Sequence, residues 1–421
     1  MQAPEPRTTT ALLSRALHRL RTTAPRIIAS PPTQPRRAAV ALILRIVPPP
    51  NFPLPPAPSG DSKLSLPEFF AQDWVSHPNA QPEILFLHRE NVASAPAADP
   101  NATSDAAVAF PGGRMEADDE DGLFTAMRHT WEEIGIDLAE NDYMSIGQLD
   151  DREITTSLGK RLLMILSPFV FLQLSPYTRP VDPVPETTLH WVPLTALFPA
   201  PALVIAQPTP APRWSSVSID AASRLAPRHS TALRLLMRVL VGNMQFPALV
   251  LPPPPPFLTL DEKHAGGGAL EAGAGRRQRP RKLWGLTLGM TLDLLSYTAP
   301  TPLTPWDADA LMGVTGIEPL DGRGRRGRVD APPSLTSVFP RFSYPDVNFW
   351  IWVFGKRYRE VIRGWETSMR NGGVNDRRIN WTGAALTTFY AAVRKALIVV
   401  LILRALGLLV GVALGVWWVL R

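Results

Sequence analysis

Phe110-Pro-Gly-Gly-Arg-Met-Glu-Ala-Asp-Asp-Glu-Asp-Gly-Leu-Phe-Thr-Ala-Met-Arg-His-Thr-Trp-Glu-Glu-Ile-Gly-Ile136 is the stretch that decides the fold. Gly112 and Gly113 permit a sharp loop whose backbone can approach a ligand. Five acids, Glu116, Asp118, Asp119, Glu120 and Asp121, then precede a helical pattern over Leu123–Ile134. Acids in front of a helix complement its N-terminal dipole, and Gly135 supplies a left-handed C-terminal cap. Within the helix His129, Glu132 and Glu133 stand at i, i+3 and i+4, on one face. Two carboxylates and an imidazole so placed can hold Mg²⁺ or Mn²⁺. Arg128, four residues before Glu132, can orient its carboxylate. The alternative reading of the same charges is a solvated helix face.

The order of these residues resembles the Nudix box: a glycine, a loop carboxylate, then Arg-Glu-x-x-Glu-Glu-x-Gly before an apolar residue. Here the second half reads Arg128-His-Thr-Trp-Glu-Glu-Ile-Gly-Ile136. The loop is one residue longer than the general pattern and is similar to the coenzyme A diphosphatase branch, matched at Phe110–Gly113, Glu116, Asp119, Asp121, Thr125 and Ala126. The resemblance extends through Ile146-Gly-Gln-Leu-Asp-Asp151, Trp191-Val-Pro-Leu194 and Leu283-Trp-Gly-Leu-Thr287, covering about 36–200 and 245–297. It implies an α/β fold, a Nudix-type α/β/α sandwich with a mixed sheet, and metal-assisted attack of water on a diphosphate. The substrate it implies is a small molecule linked to a nucleoside diphosphate, with coenzyme A or its acyl form leading. Glu133, Glu132 and His129 are then the metal residues for Mg²⁺ or Mn²⁺, Glu132 and Arg128 the catalytic ones, and Gly112 and Gly113 the substrate-binding ones. Glu116 and Glu120 are secondary candidates.

Two departures stand out. His129 replaces the glutamate that follows the arginine in the family, and imidazole suits Mn²⁺ or Zn²⁺ better than Mg²⁺. Glu90–Ala109 contains no Arg or Lys, whereas the coenzyme A branch has arginines there. The rival to an enzyme is therefore a catalytically silent scaffold, kept as a membrane-tethered binding module.

Outside the box, apolar runs predict strands at Ala38–Val47, Ile84–His88, Ile146–Leu149, Leu162–Leu174 and Leu189–Val192, and helices at Thr231–Val241 and Thr287–Leu295. The 46 prolines and 28 glycines of the 421 residues concentrate in inserts, expected at 48–82, 201–245 and 252–282 of a Nudix-like domain over 36–297. With no cysteine, disulfides, thiolate metal sites and cysteine nucleophiles are excluded. Basic runs at Arg276–Lys282 and Arg323–Arg328 lack interleaved aromatics and give no firm sign of nucleic-acid binding.

The ends differ in character. Residues 1–35 are Arg-rich and nearly free of acids, read as a mitochondrial presequence or as a disordered basic segment. After a Pro/Arg-rich and juxtamembrane region at 298–395, residues 396–420 are apolar except for Arg404 and read as a C-terminal transmembrane anchor in contact with lipid. Asn348–Phe354, aromatic but too short to span, is an interfacial or a core patch. Arg394 and Lys395 place the body on the cytosolic or matrix side of a mitochondrial or other organelle membrane. Gly407, Gly411 and Gly415 form a small-residue face open to self-association.

Overall fold

A computed structural model describes residues 8–29, 36–50, 52–53, 64–89, 108–155, 162–177, 181–197, 213–222, 230–253, 280–298, 337, 339–360 and 381–421. Parts of the expected inserts, the whole of Arg323–Arg328 and most of Arg276–Lys282 lie outside the described residues.

The centre is β1 (Arg37–Val47), buried along nearly its whole length because both faces of the sheet are covered. Ala38, Leu42, Leu44 and Ile46 enter one core, while Ala39, Ala41 and Ile43 enter the other. The same alternation splits β2 (Gln81–Arg89), whose Ile84 and Phe86 face the first core and Leu85 and Leu87 the second. β1 runs parallel to β7 (Leu162–Gln173), with Leu42 opposite Val170, and antiparallel to β2, so the sheet is mixed. Its path is β3-β2-β1-β7-β5, where β3 is Val108–Ala109 and β5 is Tyr143–Gln148. Off that path β4 (Gly112–Arg114) pairs β1, β6 (Arg152–Thr155) pairs β7, and β8 (Thr187–Pro193) pairs β2.

The expected strands therefore form one sheet, and the class is an α/β sandwich. α4 (Gly122–Ile134) covers the second core through Ala126 and Ile134. The first core lies under α1 (Thr9–Thr22), α2 (Leu66–Ala71) and α6 (Gly285–Ser296). α3 (Asp73–Ser76) adds Trp74 to it.

Within the basic amino-terminal segment, Thr9–Thr22 forms α1. Thr8 caps the helix by accepting from Ala11 N (3.2 Å), and Leu12, Leu13, Ala16, Leu17 and Leu20 are all buried. The apolar face that suggested a targeting helix is the face that packs. Arg26 N and Ile28 N then donate to Asp150 Oδ1 (3.0 Å) and Asp151 Oδ2 (2.9 Å), tying the segment to the sheet.

Two expected inserts also carry regular structure. α2 and α3 fall within 48–82. β9 (Arg213–Asp220) and α5 (Thr231–Val241) fall within 201–245. β9 pairs along β10 (Asn243–Val250), which also pairs β11 (Lys282–Trp284) and β12 (Arg341–Phe342) in a second, antiparallel sheet. A separate core joins β10 and β12 to α7 (Pro345–Phe354) and to the first half of α8 (Trp381–Leu420) through Met244, Phe342, Val347, Phe389, Val393, Ala396 and Val400. Beyond Val400, α8 is exposed, and Thr387–Leu420 is long and apolar enough to cross a membrane. Arg404 is held by Asp346 of α7 at 2.6 Å. Gly407, Gly411 and Gly415 have open space where a Cβ would sit.

Candidate active site

The box loop is pinned to the sheet before the helix begins. Phe110 packs on Phe86 (5.0 Å between centroids), Ala41 N donates to Pro111 O (2.9 Å), and Met115 N donates to Arg37 O (3.0 Å). At Gly112, with φ +150°, a Cβ would collide with the Ala39 carbonyl, so the close approach to β1 requires glycine. A Cβ on Gly113 would fall on the His129 ring. Both glycines thus serve the packing of loop on strand and of loop on helix.

α4 starts and stops as its sequence dictates. Asp121 Oδ1 accepts from Phe124 N (2.8 Å), and Gly135 takes φ +70° while its N–H reaches Trp131 O (2.9 Å).

Between these caps lies a clamp. Arg128 Nε donates to Asp119 Oδ1 and its Nη2 to Asp119 Oδ2, both at 2.8 Å. Asp119 Oδ2 also accepts from Thr125 Oγ1 (3.0 Å) and from Glu116 N (2.9 Å). The guanidinium hydrogen bonds hold the buried Asp119 carboxyl well below the usual carboxylate range, against the opposing pull of desolvation. Hydrogen bonding to Asp119 likewise raises Arg128 above its ordinary value. Arg128 Nη1 reaches onward to Glu132 Oε1 (3.0 Å) and Oε2 (3.2 Å), so the expected orientation of Glu132 is present.

The three metal candidates do not converge. Glu132 is half exposed and occupied by Arg128. His129 turns Nε2 to the Arg114 carbonyl (3.0 Å); a carbonyl only accepts, so Nε2 carries the proton. His129 Nδ1 then faces Glu132 Oε2 at 3.5 Å. Glu133 points toward the end of β2, where Oε1 meets Arg89, while Oε2 is buried with no hydrogen-bond partner. Among the described residues, no group of three or more acidic or histidine side chains is gathered to hold a metal. The donors suit a hard divalent cation in kind, and the orphaned Glu133 oxygen is a fitting contact. Their arrangement is not a ready cage, because Glu132 must first leave Arg128. Glu116 is mostly exposed at 3.5 Å from Arg128, and Glu120 is exposed.

Three contacts were not assigned from the sequence. Asp119 is the principal partner of Arg128, and Arg89 is the partner of Glu133. Asp151, buried, accepts from Ser167 Oγ (2.7 Å), Gln148 Nε2 (2.7 Å) and Ile28 N, and so joins β7 and β5 to the amino-terminal segment. Its acid pair with Asp150 within the Ile146–Asp151 motif was the available signal.

A loop pinned by Phe-Pro-Gly-Gly, an acid–arginine clamp and a capped helix ending in paired glutamates define a site similar to that of Nudix hydrolases. No protein-family model matches the chain. The fission yeast Schizosaccharomyces pombe protein C14C4.10c, which is uncharacterised, is 32% identical over 147 residues, 34% of this chain and 40% of that protein. The mouse mitochondrial coenzyme A diphosphatase NUDT8 is 35% identical over 83 residues, 20% of this chain and 39% of that protein. The chain thus spans about 40% of the length of these curated relatives. Among solved structures, a C. elegans Ap4A hydrolase is 14% identical, covering 38% of this chain and 82% of that one with a TM-score of 0.23. A MutT/nudix family protein from Enterococcus faecalis is 11% identical, covering 46% and 57%, with a TM-score of 0.22.

Proposed function

We propose that the chain is a membrane-anchored hydrolase that cleaves a diphosphate linkage in a nucleoside-diphosphate-linked small molecule. The observation that carries this reading is Glu133, whose Oε2 is buried without a partner at the end of an otherwise locked box. An unsatisfied buried carboxylate oxygen is costly, and a divalent cation is the ligand that would satisfy it. Mg²⁺ or Mn²⁺ held by Glu133 and Glu132 would supply neutralisation of diphosphate charge. The chain's own residues would do the rest. Arg128 holds the Glu132 carboxylate at the solvent-facing edge of the site and would release it to join Glu133 on the cation. The loop backbone at Gly113 lies against the His129 ring and would line the same site, while Gly112 before it packs on β1.

Coenzyme A or its acyl form is the leading substrate, supported by the Phe110–Gly113 motif and by the activity in the name of the mouse relative. That relative is mitochondrial, which supports a mitochondrial or other organelle membrane for this chain, with α8 as the anchor. Arg394 and Lys395 favour a body on the cytosolic or matrix side.

A second reading has specific support. His129 Nε2 is committed to the Arg114 carbonyl and Glu132 to Arg128, an arrangement also suited to a silent scaffold that binds without turnover. The deciding experiment is a turnover assay of the full chain on coenzyme A, NADH, ADP-ribose and dinucleoside polyphosphates, with Mg²⁺ and Mn²⁺ compared. Hydrolysis that disappears in Glu133→Gln and in excess chelator supports the enzyme. Substrate binding with no hydrolysis under any condition supports the scaffold.

A further inference from the structure

The structure carries a second surface with a chemistry of its own, on α7, and its reading rests on α8 being a membrane helix. Asp346, in the first turn of α7, pairs with Arg404 of α8, and the Arg404 guanidinium lies over the Tyr344 ring at 4.6 Å. Further along the chain Tyr358 packs on Phe389 at 5.3 Å. α7 and the helical turn after it therefore run antiparallel to α8, with the start of α7 level with Arg404 and residues 356–360 on the body side. Val347 and Ile351 bury the inner face of α7 in the core that holds Val393, Ala396 and Val400.

Among the described residues, the outer face has no such apolar cover. Phe349, Trp352 and Val353 are 47%, 38% and 37% exposed, and their spacing of three and four residues aligns them in one stripe. Lys356 and Arg357, both exposed, continue that stripe toward the body. Arg359 lies over the Trp352 ring at 4.7 Å. α8 shows the same change of character: Lys395 is exposed on the body side of the exposed Ile398, Leu401, Ile402 and Leu403. Two neighbouring helices thus turn from cationic to apolar in the same direction. That gradient matches the depth profile of a bilayer surface, where basic side chains meet anionic headgroups and aromatic rings settle just beneath.

We propose that the outer face of α7, formed by Phe349, Trp352 and Val353, lies in the headgroup and upper acyl region of the same bilayer that α8 crosses. Lys356 and Arg357 then rest on anionic headgroups, and the Arg404–Asp346 pair fixes the tilt of the body on the surface.

Because the sequence contains no cysteine, single-cysteine probes are unambiguous. Val353→Cys, Val410→Cys and the exposed reference Ala139→Cys would each be labelled with an environment-sensitive fluorophore. The full chain would be reconstituted in phosphatidylcholine vesicles with a minor share of phosphatidylserine. The proposal expects blue-shifted emission at 353 that is quenched by lipids spin-labelled near the headgroup, quenching at 410 by lipids labelled deep in the acyl chain, and neither effect at 139. Quenching at 410 with a water-like probe at 353 overturns the α7 proposal and leaves the anchor standing. A blue shift at 353 without lipid quenching also overturns it, because a second copy of the chain then covers the stripe. Water-like behaviour at all three positions removes the anchor itself, and the proposal with it.

Discussion

Asp119 receives the Arg128 guanidinium side-on, Nε on one oxygen and Nη2 on the other, each at 2.8 Å. The pair closes the box loop onto α4 across nine residues of sequence, while the second edge of the same guanidinium steers Glu132. One arginine therefore both locks the loop and aims a catalytic candidate.

Asp119→Asn keeps the shape and removes the charge, and should lower stability at neutral pH by about 3 kcal/mol, as expected for one partner lost from a buried pair. The folded carboxyl titrates below its unfolded value, so its contribution is present above the ordinary carboxylate pKa and is lost as pH falls toward the depressed one. Melting temperatures of wild type and variant should consequently converge as the pH drops below about 4. A gap that stays constant with pH would show that the charge is not what matters.

His129→Glu should raise turnover with Mg²⁺, because it places a carboxylate where the Nudix pattern has one. The variant loses the Nε2–H bond to the Arg114 carbonyl and adds a charge beside Glu132, so without metal it should melt lower. With metal it should gain more in melting temperature than the wild type does. Metal-dependent stabilisation without turnover would favour the silent scaffold, and no response of either kind would mean that the box no longer forms a metal site.

Leu17→Ala should cost about 3 kcal/mol, the usual penalty for a large-to-small change at a fully buried site. Removal of residues 1–22 should leave insoluble protein, because α1 roofs the first core. Chemical denaturation of the point variant measures the first effect, and soluble, cooperatively folding truncated protein would contradict the second.

Asp151→Ala should destabilise by about 3 kcal/mol, since Ser167 and Gln148 would each lose a charge-assisted acceptor in a buried setting. Hydrolysis, if measured below the new melting point, should fall less steeply than in Glu133→Gln. Equal losses in both would move Asp151 into the chemistry.

What the sequence disclosed was local. Helix α4 announces itself because its caps, Asp121 and Gly135, are adjacent to it, and the pairing of Arg128 with Glu132 is one helical turn. β1 reads as a strand buried on both sides because its apolar run does not alternate. The Asp119 clamp and the Arg89–Glu133 contact depend on a loop and on a strand end, and no periodicity reports them. α1 was ambiguous for a physical reason: an Arg-flanked amphipathic helix has the same pattern whether its apolar face meets an import receptor or the underside of a sheet. The second sheet was hidden because β9 and β12 are short or polar, and they acquire their meaning from β10 between them.

The Arg404–Asp346 pair has a consequence for the posture of α8 under the proposed anchoring. Between Lys395 and Arg421, residues 396–420 would rise about 37 Å as a helix, several ångströms more than an average hydrocarbon core of about 30 Å. Mismatch of that sign is relieved by tilt. Because the ion pair ties α8 to α7 on one side only, it would set the direction in which the helix leans.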